Sequence, residues 1–113
     1  MKIQVNTDKN VEGSLAFSER TEADLASALT RFETRLTRVE VHLRNESAGR
    51  TTGDDFRCLI EARPAGMDAV AVTHHAATLD EALRGATDKL EGLLTSKFER
   101  REGQETRDTI RGH

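Results

Sequence analysis

The chain has no tryptophan, no tyrosine, a single cysteine and a single proline, and four phenylalanines are its whole aromatic complement. Its core is therefore expected to be aliphatic and thin. The lone Cys58 excludes an internal disulfide, and the pair His74 and His75 with one cysteine falls short of a structural zinc set. No apolar run approaches the roughly 20 residues that span a bilayer, and the first ten residues lack the apolar segment of a secretory signal. The expectation is a cytoplasmic protein with no membrane partner. An excess of positive charge is missing as well: 17 Lys and Arg stand against 20 Asp and Glu, a formal charge of −3. That balance counts against nucleic-acid binding unless the basic residues are segregated onto one surface.

What is present is periodic. The 113 residues, 35% apolar and 33% charged, fit one two-layer domain, placed at residues 1–102 with a flexible polar tail at 103–113. Residues 2–6 alternate with Ile3 and Val5 on one face, which predicts a strand. Ser14 is placed to cap a helix over residues 14–33, with Leu15, Leu25, Leu29 and Phe32 at helical spacing. Residues 39–44 and 56–63 return to period two, separated by a long Gly- and Thr-containing connection. The turn at residues 64–68 joins the second of these strands to a strand over 69–76, a hairpin. Thr78-Leu79-Asp80-Glu81 has the form of a capping box that starts a second helix at Leu79, with an apolar stripe from Leu79 to Phe98 and an end near Arg101. The order β-α-β-β-β-α predicts an α+β fold: a four-stranded, antiparallel-rich sheet with both helices on one face and the other face in water. Val41, Phe56, Ile60, Val70, Leu83, Leu90 and Leu94 are expected in its core.

Candidate chemistry is sparse. Adjacent histidines on a strand point to opposite faces, so His74 and His75 cannot readily share a metal ion. Cys58 alternates inward beside Phe56 and Ile60, where a thiol behaves as a small hydrophobe. Asp54 and Asp55 lie in a loop with no further ligand, and no phosphate loop, Cys-x-x-Cys or nucleophile elbow is present. The sequence therefore predicts no enzyme, metal, cofactor or small-molecule substrate. The basic residues carry more information. Arg31, Arg35 and Arg38 fall at and after the end of the first helix, and Lys89, Lys97, Arg100 and Arg101 lie along the second. Two explanations stay open, a solvated complement to the negative end of each helix dipole and a phosphate-binding surface.

Specific segments carry a resemblance. Val11-Glu12 before the first helix, Phe32 near its end, Arg38-Val39-Glu40-Val41 entering a strand, and Thr87-Asp88-Lys89-Leu90 followed by Leu94-Thr95 resemble the ribosome hibernation-promoting factor and ribosome-associated inhibitor family. Glu61-Ala62-Arg63-Pro64 and Val72-Thr73-His74-His75-Ala76 look like a divergent proteobacterial branch of it. The resemblance, over residues 2–101, implies a β-α-β-β-β-α fold similar to double-stranded-RNA-binding domains. It also implies binding of the small ribosomal subunit, in the channel of messenger and transfer RNA, and inhibition of idle ribosomes by basic residues of the helices. Lys89 and Arg100 match basic positions of the last helix, whereas Gly92 and Ser96 stand where the best-studied members are basic. The chain resembles the short form, without the C-terminal domain by which longer members pair two ribosomes. On this reading the RNA-binding residues are Lys89, Lys97, Arg100, Arg101, Arg31, Arg35 and Arg38, the partner is ribosomal RNA, and DNA is not a partner. The alternative is a protein-binding stress or regulatory module of the same fold, working through the exposed sheet face with His42, Arg44, Arg57 and Arg63.

Overall fold

The computed structural model describes residues 1–8, 11, 15–46, 53 and 55–111, the side chains of 104–111 excepted. Strand β1 (Lys2–Thr7) leads to helix α1 (Leu15–Ala28), a 3-10 segment (Thr30–Arg35), strands β2 (Leu36–Asn45), β3 (Phe56–Pro64) and β4 (Val70–Ala76), and helix α2 (Leu79–Arg111). The sheet order is β1-β2-β3-β4. β1 runs parallel to β2, with Ile3 opposite Val39 and Val5 opposite Val41, and the other two pairings are antiparallel. Val39, Val41, Leu43, Cys58, Ile60 and Ala62 share one face and are buried. Leu25 and Leu29 from the first helical layer and Ala82, Ala86, Leu90 and Leu94 from α2 cover them. This is the α+β, two-layer architecture that the alternating and helical periods dictate, with a mixed sheet.

Four local expectations need correction. The first helix does not reach residue 33: it stops at Ala28, where the Thr30 hydroxyl donates to the carbonyls of Ala26 and Ser27 at 3.0 and 2.9 Å. The chain then tightens into the 3-10 segment, whose three-residue repeat points both Leu29 and Phe32 into the core. The proposed cap at Ser14 and the loop residue Asp54 lie outside the described residues. β2 starts at Leu36, three residues earlier than alternation indicates, because an irregularity between Leu36 and Arg38 interrupts the period. α2 does not end near Arg101 but continues to Arg111. A single glycine, Gly103, costs a helix only about 1 kcal/mol, and the Gln, Glu and Arg that follow are good helix formers. Finally, Phe56, Val70 and Leu83 are only half-buried, at a hairpin mouth, the start of an edge strand and the α1–α2 groove respectively, whereas Val41, Ile60, Leu90 and Leu94 are fully buried.

Two local signals are realised in the structure. Thr78 accepts the Glu81 backbone N–H at 3.1 Å, which starts α2 as the capping pattern requires. At the β3–β4 turn the Met67 N–H donates to the Pro64 carbonyl and Gly66 adopts φ +70°, the left-handed third position of a type II turn.

His74 and His75 point to opposite faces, as strand geometry demands. The His74 ring lies against α2 at Gly85, where an added Cβ would sit 2.1 Å from His74 Cδ2. Exposed helical glycines normally gain stability on replacement by alanine, by about 1 kcal/mol. Here the sign should reverse: Gly85→Ala is expected to lower stability by about 1–3 kcal/mol through overpacking, and His74→Ala in the same chain should restore it. Denaturant melts of the single and double variants check this; a stabilised Gly85→Ala would refute the close packing.

Candidate nucleic-acid interface

The cationic side chains are sorted by the two flanks of α2. On the flank facing the 3-10 segment, Arg31 Nη2 donates to Thr95 Oγ1 at 2.6 Å, and its guanidinium lies 4.6 Å from the Phe32 ring centroid. One turn on, Arg35 stacks over Phe98 at 3.8 Å and its Nη1 donates to Glu102 Oε1 at 2.9 Å. Phe32 and Phe98 are themselves in contact, with centroids 5.7 Å apart. Two of the four phenylalanines thus serve as plates that orient two arginines, with their guanidinium groups at the surface.

On the other flank Lys97, Arg100 and Arg101 meet the β3–β4 turn, and with Gly66, Met67 and Asp68 they line an open groove of about 520 Å³. Lys89 sits two turns earlier on α2 and donates to the Thr73 carbonyl of β4 at 2.9 Å. Six of the seven candidate cations therefore belong to the helical layer. Arg38 does not. It lies on the opposite, open face of the sheet, 2.6 Å from both Glu40 Oε1 and Gln4 Oε1, because strand alternation carries it away from Val39.

This placement bears on the two explanations left open by the sequence. α1 has no basic residue in its last turn, and α2 continues about ten residues past Arg101. A macrodipole acts only within the last turn, so among these cations it reaches Arg35, at the end of the 3-10 segment, and not Lys89, Lys97, Arg100 or Arg101. Many acidic residues gather about α1. The groove between α1 and α2, about 440 Å³, is lined by Asp24, Asp80, Asp88 and Glu91 against Arg20 and Arg84. Glu19, Glu22 and Glu33 line a second groove, between α1 and β1. Acidic side chains thus concentrate about α1, while Asp68 and Glu102 lie among the cations of α2 and Arg20 and Arg84 among the carboxylates of the first groove.

Burial pushes the Cys58 thiol up to about 12, so it stays protonated at neutral pH. His75 Nε2 is 3.1 Å from Glu46 Oε1. Among the described residues no three metal-ligating side chains converge. On the open sheet face Arg44 stands opposite Arg57, and His42 Nε2 lies 3.5 Å from Glu40 and 4.0 Å from Glu61.

Sequence reasoning missed Thr95, Phe98, Glu102 and Asp68. Phe98 was legible only as core, and Glu102 is brought to Arg35 across 67 positions of chain.

The model of the sigma 54 modulation protein / S30EA ribosomal protein family matches residues 4–102. The chain belongs to that family. All six cations of the helical layer fall within the S30EA match. Among solved structures, the N-terminal domain of Thermus thermophilus Protein Y is 26% identical with a TM-score of 0.64, over 82% of this chain and 94% of that one. A ribosomal subunit interface protein from Coxiella burnetii shares the fold, at 18% identity and a TM-score of 0.64, over 88% of this chain and 98% of that one. No curated protein sequence matches. Among the described residues no helix is long and apolar enough to cross a membrane.

Proposed function

We propose that this S30EA-family chain is a cytoplasmic translation inhibitor that binds the small ribosomal subunit and holds idle ribosomes inactive, by occupying an RNA groove rather than by catalysis. The observation that carries the reading is the anchoring of Arg31 and Arg35 to α2, which makes two sequence-distant basic sets into one end of the helical layer. Lys89, Lys97, Arg100 and Arg101 contact phosphates on one flank of α2, and Arg31 and Arg35 on the other. Contacts of this kind fix position without reading base sequence. The Coxiella neighbour's description as a ribosomal subunit interface protein agrees with this partner.

Sedimentation with ribosomes over a salt series tests the proposal. Pelleting should fade as salt rises, with a log-log slope of about 0.7–0.9 for each phosphate neutralised. Absence from the pellet at low salt would favour the second reading, a protein-binding regulatory module. That reading has its own support: the open sheet face presents Lys2, Arg38, Arg44, Arg57 and Arg63 against Glu40 and Glu61.

A further inference from the structure

The two edges of the sheet are finished differently. At β4 the Lys89 ammonium occupies the Thr73 carbonyl, a charged blunting of the edge. Among the described residues β1 pairs on one side only. The Asp8 N–H donates toward β2, to the Leu43 carbonyl at 3.2 Å. In a parallel pair the direction of backbone groups alternates, so the N–H and C=O of Ile3 and Val5 face away from β2. Beside this open edge runs a groove of about 600 Å³, with Met1 and Ile3 on the strand side and the small residues Ala23 and Ala26 on α1. Glu19, Glu22 and Glu33 line it, and among the described residues no Lys or Arg does.

We propose that this groove is a docking site for an extended, Lys- or Arg-bearing segment of a partner protein, added to β1 as a fifth strand. The unpaired backbone of Ile3 and Val5 supplies main-chain hydrogen bonds, as in other cases of strand addition. Every second side chain of the segment then faces α1. A lysine or arginine there lays its aliphatic stem over Ala23 and Ala26 and carries its charge to the glutamates. An acidic segment would meet three like charges. A long apolar side chain would leave those carboxylates unpaired at the rim, so charge complementarity selects the occupant. The site is on a different surface from the phosphate-binding one and does not depend on it.

The test uses the whole chain in solution without ribosomes. A capped seven-residue peptide alternating lysine with valine is titrated into labelled protein and followed by amide resonances and hydrogen exchange. The Ile3 and Val5 amides should shift and gain protection, and Glu22→Lys with Glu33→Lys, both exposed positions, should weaken binding at least about tenfold while leaving the spectrum dispersed. Equal binding of a glutamate-valine peptide would overturn the proposal. So would shifts confined to β4, or protection of β1 that grows with protein concentration in the absence of peptide, which would give the edge to a second copy of the chain.

Discussion

Lys89→Glu with Lys97→Glu should abolish co-sedimentation with ribosomes at moderate salt, while Arg57→Glu with Arg63→Glu should leave most of it. Both pairs change the total charge by the same amount. Only the first reverses the potential beside Arg100 and the β3–β4 turn, where Lys97 lies in the groove wall. Arg57 and Arg63 stand on β3 with side chains toward the open sheet face, opposite Arg44 and Arg38. Each lost phosphate contact removes about 0.7–0.9 from the log-log salt slope, and a glutamate placed at the same point adds repulsion to that loss. The comparison therefore separates a local surface from a general requirement for positive charge. If the sheet-face pair removed binding and the helix pair did not, the RNA-facing surface would be the sheet, and the role given to α2 would fall.

Leu90→Ala should destabilise the fold by about 2–5 kcal/mol, the cost of removing a leucine whose site cannot collapse. Leu90 is 0% exposed and sits in the row of α2 that covers the centre of the sheet, with Ala86 before it and Leu94 after. Those neighbours cannot move in to fill the space, since alanine has no reach and Leu94 is itself fully enclosed. For a domain of this size the loss corresponds to a fall in melting temperature of order 10 °C or more. The reference is Leu15→Ala: Leu15 is 76% exposed, and its truncation should be nearly silent. A melt unchanged by Leu90→Ala would mean that a different face of α2 meets the sheet.

The contrast between these leucines also shows what sequence patterning can and cannot report. Ile3, Val39, Val41, Ile60 and Ala62 alternate without interruption, and a period of two has only one way to bury them, so the strands and their common face were legible. The turn at Gly66 and the cap at Thr78 were legible because each residue type satisfies a specific local geometry. α1 was misjudged in length because helical spacing is nearly the same in an α-helix and a 3-10 turn over residues 25–32, and the Thr30 hydroxyl bonds that end the helix leave no periodic trace. Arg38 was misplaced for a related reason. Sequence proximity to Arg31 and Arg35 suggested a cluster, but entry into β2 turns it to the far side of the sheet. Thr95, Phe98 and Glu102 were missed since their partners are more than sixty residues away, and nothing in the sequence marks such pairings before the 3-10 segment and α2 are packed.

Arg35 brings its own anion to the surface. With Glu102 at 2.9 Å the pair carries no net charge, so a phosphate that takes the guanidinium through Nη1 competes with a carboxylate held by the same chain. Such an exchange neutralises little of the RNA's charge and frees correspondingly few ions into bulk solvent. On the proposed RNA surface Arg35 would consequently act as a directional fork, fixed in plane by Phe98, whose value lies in register and not in the strength of attraction. Its contribution should persist at salt concentrations where that of Lys97 has been screened away.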